Sequence, residues 1–373
     1  MTTVTAEEIV AADVRTTGGT GKPRIGGTST YTAVLAEVKS AGLLQRRRGF
    51  YWALFSALLS ATVGCGVVFV LLGDSWWQLL VAAALGVLFT QFAFLSHEAA
   101  HRQIFDSRVW NDRAGRYLGT FLVGLSYSWW MNKHTRHHGN PNTLGKDPDI
   151  DPDTIVFIPE DAARTTGVWR RLVRFQGWLF FPLLTLEGVN LHRHAVMSVL
   201  RGAQDRPDPR GRALEGVLLV LRFGLYFTAI FSLLPLGLAL AFLGVQLAVF
   251  GVMMGASFAP NHKGMPTIAP DAKVDFFSRQ VLTSRNIRGG WWVSFLMGGL
   301  NYQVEHHLFP SMPRPALKKA RLLVREHCQK LGVPYTETSL SHSYALVVRY
   351  LNDVGLAARD PFACPLVSQL RIH

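Results

Sequence analysis

The chain has 373 residues, 49% of them hydrophobic and only 17% charged. Ordinary soluble domains carry about 25% charged residues, so a purely soluble globular protein is excluded. The net charge of +13 sits in loops that flank apolar runs, which fits membrane loops and anionic headgroups rather than nucleic acid.

Residues 1–45 are polar, Thr/Gly-rich at their start, and read as a mobile tail with no secretory signal peptide. Phe50–Gly73 and Ser75–Ser96 contain no charged residue. About 20 apolar residues cross a bilayer as a helix, so each run predicts one span, with Asp74 in the turn. The Arg46–Arg48 triplet places the start of the first span in the cytoplasm. Phe223–Asn261 is also free of charge but too long for one crossing. Pro235 and Gly237 divide it into a third span, 216–234, and a fourth, 236–258. Arg222, near the start of the third, is expected to snorkel to the headgroups. Tyr117–Met131, Phe175–Leu191 and Gly289–Val304 are too short or too interrupted to span and read as interfacial or re-entrant pieces. Residues 314–332 predict a surface helix with Leu317, Val324, Cys328 and Leu331 on one face and Gly332 at its end. The expected architecture is an all-α, multi-pass integral membrane protein, with four transmembrane helices and a cytosolic helical cap. Its main domain covers 46–340, and 341–373 reads as a C-terminal cytosolic tail.

Seven of the thirteen histidines fall in three clusters just outside the apolar runs. They are His97 and His101 in HEAAH, His134, His137 and His138 in HTRHH, and His306 and His307 in QVEHH. Imidazole binds iron, zinc and copper at neutral pH, so three clusters on one membrane face predict a polynuclear metal site. His97 and His101 share a helical face, and His134 faces both its partners. His306 and His307, being adjacent, cannot share a face and suit either two neighbouring metals or one metal and a substrate-side role. Gln303 stands where a further histidine would complete HxxHH. His262, just after the fourth span, is a plausible eighth ligand. His192 and His194 read as polar residues of an interfacial helix, and His327, His342 and His373 as solvated. Asp147–Asp153 resembles a calcium loop in composition but lacks the EF-hand glycine and final Glu, so it reads as a solvated loop. The cysteines Cys65, Cys328 and Cys364 form no CxxC, which argues against disulfides and Cys-ligated centres. Electrons must then come from another protein.

HEAAH also fits the zincin pattern HExxH, with Glu98 as general base, but a single zinc leaves the other clusters unexplained. A histidine-rich metal transporter would need ionisable residues within the spans, which are uncharged apart from Arg222.

HEAAH, HTRHH and QVEHH, in this order and on this hydropathy, resemble the membrane fatty acid desaturase superfamily. NYQVEHHLFP is similar to its front-end, linoleoyl-CoA-desaturase-like branch. The resemblance covers roughly residues 50–340. It implies a di-iron centre of two Fe ions held by His97, His101, His134, His137, His138, His306 and His307, with His262 matching an extra histidine and Gln303 the variant position. It implies O2 as co-substrate and insertion of a cis double bond into a fatty acyl chain, as acyl-CoA or lipid. A hydroxylase on the same scaffold is the nearest alternative. Front-end enzymes often carry a fused cytochrome b5 with an HPGG motif. None occurs in this sequence, so a separate ferredoxin, cytochrome or reductase is expected as donor. Trp129, Trp130, Trp291 and Trp292 suit either an acyl tunnel or an interfacial aromatic belt. The expected location is the cell membrane, with the active site on its cytoplasmic face.

Overall fold

A computed structural model describes residues 27–202 and 208–358. The start of the expected tail, Cys364 and His373 lie outside them. In chain order, α1 (Gly27–Ser40) leads to α2 (Arg48–Leu72) and α3 (Gln78–Ala100). After α4 (Arg108–Arg116) come a π-helical stretch, Tyr117–Val123, and α5 (Tyr127–Gly139). The short helices α6 (Pro159–Arg164) and α7 (Gly167–Val173) precede α8 (Gln176–Arg201), α9 (Pro209–Leu233) and α10 (Leu236–His262). The remainder holds α11 (Phe276–Leu282), β1 (Asn286–Arg288), α12 (Trp291–Leu296), α13 (Gln303–Leu308), α14 (Arg314–Leu331), β2 (Glu337–Ser339) and α15 (Leu340–Leu356). The two strands pair in parallel, Ile287 opposite Thr338.

Among the described residues, α2, α3, α9 and α10 are the four helices long and apolar enough to cross a membrane. They coincide with the four expected spans, but α3, α9 and α10 run one or two turns beyond the apolar run at one end. Those extensions carry His97, Glu215 and His262. The three short apolar stretches add no candidate span. The first is broken at Gly124, whose φ of +95° closes the π-helix. The second opens α8, which contains Pro182, and the third is the short α12 followed by turns.

Close backbone approach fixes the bundle. A Cβ on Gly251 of α10 would strike the backbone of Leu184 and Gly188 on α8, so these helices pack through small residues. The guanidinium of Arg222 packs on aromatic rings, 4.2 Å from the Tyr226 ring centroid and 4.6 Å from that of Phe89. Helix α9 begins at Pro209, seven residues before the expected 216.

At one end of the bundle a helical cap has its own core, built from Val34, Val38, Val281, Leu308, Leu317 and Val324. Three sequence expectations change here. The tail expected over 1–45 is helical from Gly27 to Ser40, with Val34 and Val38 fully buried. Burying such a side chain is worth about 1.5–3 kcal/mol, enough to dock a helix whose composition looks polar. His327, expected to be solvated, is buried and donates from Nε2 to the Thr30 carbonyl at 3.0 Å. The C-terminal segment is not a tail up to residue 356. Ser339 caps α15, and Val347 and Leu351 pack with Phe180 and Leu184 of α8. The surface helix expected over 314–332 is α14, with Leu317, Val324 and Cys328 inward and Gly332 as its left-handed cap.

Candidate metal centre

Four helix ends deliver the histidines. The last turn of α3 carries His97, and His101 is its C-cap. Helix α5 starts at Ser126, whose Oγ accepts from the Trp129 amide at 3.2 Å. Its N-terminus is anchored by the buried Glu215 of α9. That carboxylate accepts from Ser126 Oγ at 2.7 Å, Ser128 Oγ at 2.6 Å and Arg116 Nε at 3.1 Å. A carboxylate at a helix N-terminus is favoured by the helix dipole as well as by these donors. Helix α10 ends on His262, and Arg285 donates to the Lys263 carbonyl at 2.8 Å and to the Pro260 carbonyl beside it. A buried guanidinium thus satisfies carbonyls that the helix end leaves open. Helix α13 supplies His306 and His307.

The eight histidines sort into two groups. The donor nitrogens of His97, His101, His134, His138 and His306 lie within 4.8 Å of one another, and so do those of His137, His262 and His307. Helix α5 therefore feeds both groups, with His137 turned away from His134 and His138. The adjacent pair His306 and His307 divides between them. Within the first group, His134 Nε2 lies 2.7 Å from His101 Nε2 and 3.1 Å from His97 Nε2. In the second, His137 Nε2 and His262 Nε2 are 3.3 Å apart.

Outer hydrogen bonds set the tautomers of the second group. His137 Nδ1 donates to Asp147 at 3.0 Å, His262 Nδ1 to the Thr283 carbonyl at 3.0 Å, and His307 Nδ1 to Gln280 Oε1 at 2.9 Å. Each proton is held on Nδ1, so each Nε2 presents a lone pair inward, the usual device around metal-binding imidazoles. Gln303 faces the same group. Its amide nitrogen lies 2.9 Å from His262 Nε2, and its oxygen accepts from Asn261 at 3.1 Å. Turning that amide over would present Oε1 instead.

Burial, reinforced by neighbouring imidazoles, holds His134, His138, His306 and His307 well below the usual imidazole range. Burial lowers His101 to about 3. These rings are therefore neutral and carry free lone pairs at physiological pH, as metal ligation requires. His137 differs. Burial pushes it down, but Asp149 and Asp147 outweigh that and leave it raised.

Polar atoms without partners support a cation in both groups. Both ring nitrogens of His138, His306 Nε2 and His307 Nε2 are buried with no hydrogen-bond partner among the described residues. Such groups cost about 1–3 kcal/mol each when left unmet. A divalent cation in each group would accept these lone pairs, and an all-imidazole donor set suits iron, zinc or copper.

The other residues singled out in the sequence fall in different places. Trp130 stacks on His134 with ring centroids 4.2 Å apart. Trp129 stacks instead on His194 at 5.3 Å. Trp291 and Trp292 are exposed, at 82% and 48%. His192 bonds the Gly188 and Val123 carbonyls, and neither it nor His194 joins a histidine group. Glu98, the base of a zincin reading, is buried in an ion pair with Arg314. The loop at 147–153 is a correction. Asp147 is fully buried and accepts from the Asn142 amide at 2.7 Å as well as from His137. The sequence signal was a carboxylate ten residues after His137, a partner such a ligand often has.

A small cavity of about 30 Å3 lies against this centre, lined by Phe94, His97, Leu125, Trp130, Met254 and Phe258.

Comparison with known proteins agrees with this chemistry. Residues 74–339 match the family model described as fatty acid desaturase. The chain is 30% identical to the Delta(8)-fatty-acid desaturase of Helianthus annuus over 88% of its own length and 74% of the relative's. It is 32% identical to the acyl-lipid (9-3)-desaturase of Physcomitrium patens, over 76% of this chain and 54% of that protein. It is 31% identical to the Delta(8)-fatty-acid desaturase of Euglena gracilis, over 80% and 73% of the two lengths. With the histidine groups, the four membrane-length helices and this match in place, the chain belongs to the fatty acid desaturase family.

Proposed function

We propose that the protein is an O2-dependent acyl desaturase that introduces a cis double bond into a fatty acyl chain at a histidine-held di-iron centre. The observation that carries this reading is the division of eight histidines into groups of five and three at the ends of the membrane-length helices. His97, His101, His134, His138 and His306 would hold one iron. His137, His262 and His307 would hold the other, with Gln303 beside it. Iron supplies the oxidising power, with O2 and external electrons, to remove hydrogen from an unactivated methylene, which no side chain can do.

The chain's own residues do the rest. Asp147, Thr283 and Gln280 keep the Nδ1 protons in place and aim three rings. Leu125, Met254 and Phe258 pack beside His97, with Ser96, Ser126 and Tyr127 also at the edge of the small cavity there, so the side of the centre around His97 is largely apolar. Position along the chain is then set by packing, since the reacting carbons offer no hydrogen bond.

The centre sits on the cytoplasmic face of the cell membrane in this reading, because Arg46–Arg48 precede the first span and the outer turns near 73–75 and 235 carry no Lys or Arg. Electrons come from a separate ferredoxin, cytochrome or reductase. The test is expression in a host of defined fatty acid content, followed by mass spectrometry of its lipids. Products lighter by two hydrogens are expected. Products heavier by one oxygen would assign a hydroxylase, and an unchanged profile with an iron-loaded protein would overturn the proposal.

A further inference from the structure

The two short strands supply no histidine. Each has three residues, and a two-stranded pair is at best marginally stable by itself. What the pair fixes is Asn286. It stands opposite Glu337, and its amide donates to the Thr336 carbonyl at 3.0 Å. Glu337 is held in turn by Arg321 of α14, whose Nη2 donates to Oε2 at 2.7 Å.

The Asn286 side chain reaches α13, and every polar atom on it is used. Oδ1 accepts from the Val304 amide at 2.9 Å. Nδ2 donates to Glu305 Oε2 at 2.7 Å and to Tyr335 Oη at 2.6 Å. Tyr335 Oη then donates to Glu305 Oε1 at 2.7 Å. The three side chains close a ring of hydrogen bonds around the carboxylate. Glu305 and Asn286 are 0% and 1% exposed, and a carboxylate is tolerated at such a place only when its oxygens are met.

Helix α13 needs an outside hold. It has six residues, and its N-cap residue, Tyr302, makes no side-chain capping bond. Helices shorter than about 12–15 residues are marginal without tertiary contacts. Asn286 meets the open Val304 amide as a cap supplied from another strand. The residues that follow Glu305 are His306 and His307, which divide between the two histidine groups. Adjacent residues on a helix point about 100° apart, so a roll of α13 displaces both rings at once.

We propose that Glu305, gripped by Asn286 and Tyr335, is a positioning residue for both metal groups. It sets the roll of α13 and so the places of His306 and His307. Its role is to accept hydrogen bonds, not to carry charge or a proton. The assignment rests on the reading of the two histidine groups as two metal sites.

The test is titration of the iron held by the full-length protein in detergent with a chelator of known affinity. Tyr335→Phe leaves Glu305 Oε1 and one Asn286 hydrogen without a partner, and should weaken both sites in parallel by about tenfold or more. Glu305→Ala should do at least as much. Glu305→Gln can still accept from Asn286 and donate to the Tyr335 oxygen, and should weaken them by no more than about threefold. Phe69→Ala, in the core at the other end of the bundle, should lower the thermal midpoint and leave both affinities within about twofold of the wild type. If Glu305→Ala fails to fold, Tyr335→Phe is read, since it removes one atom and keeps the ring. Unchanged affinities in Tyr335→Phe, or weakening of one group alone, would overturn the proposal. So would a loss in Glu305→Gln as large as in Tyr335→Phe, which would assign the carboxylate a charge or proton role, or an equal loss in Phe69→Ala, which would make the effect one of general stability. A wild-type protein that holds fewer than two irons would instead bring down the two-metal reading itself.

Discussion

Replacing Asp147 by Asn isolates the outer shell of the centre. The carboxylate accepts on both oxygens. Oδ1 takes the His137 Nδ1 proton at 3.0 Å and the Asp149 amide at 2.9 Å, and Oδ2 takes the Asn142 amide at 2.7 Å. Whichever way an Asn side chain is turned, its NH2 group confronts at least one of these donors. A buried donor left unmet costs about 1–3 kcal/mol, which is about 5- to 150-fold in an equilibrium constant. Loss of an outer-shell partner typically weakens metal binding by about 10- to 100-fold, so the two routes agree. Only the group of His137, His262 and His307 should suffer, because the other five histidines make no contact with Asp147. The expected result for Asp147→Asn is a fall from about two irons per chain to about one, read by elemental analysis of detergent-extracted protein, with desaturation lost. Two tightly held irons and full activity in this variant would refute the role given to Asp147.

Substitution of any one of His97, His101, His134, His137, His138, His306 or His307 by Ala should abolish desaturation, measured by lipid profiling, while the protein still inserts in membranes. Full activity in two or more of these variants would remove the clusters from the site. Glu215→Ala strips Arg116, Ser126 and Ser128 of their shared acceptor and should cost about 2–4 kcal/mol, seen as a thermal midpoint lowered by several degrees in detergent; an unchanged midpoint would contradict the anchoring of α5. Reporter fusions after Gly73 and Pro235 should read as external, and fusions after Gly145 as cytoplasmic. An external Gly145 would break the shared-face topology.

The spans and the histidine clusters were legible in the sequence because both signals are local. A charge-free run of twenty residues needs no partner to be recognised, and HEAAH or HTRHH shows its ligand spacing within one helical turn. The adjacency of His306 and His307 left two readings open, two metals or one metal and a substrate-side role, and the grouping of their nitrogens favours the first. Residues that act across long separations were not legible. Gln280, Thr283 and Arg285 reach the site only because the segment after α10 folds back against its end. Asp147 looked solvated because its acidic neighbours Asp151 and Asp153 are in fact exposed. Helix α1 was missed because its apolar side is narrow, and its partners lie in α11 and α14, more than two hundred residues away. His327 was misread for the same reason, since its acceptor belongs to Thr30.

The central claim is that two histidine groups hold two irons that the reaction requires. The most direct measurement is the metal content of the purified protein set beside its desaturation activity, before and after chelation and after ferrous iron is returned. The account predicts about two iron atoms per chain, one for each group, with activity lost on removal and regained with iron. Stoichiometric zinc, with activity that falls on zinc removal and returns only with zinc, would contradict it.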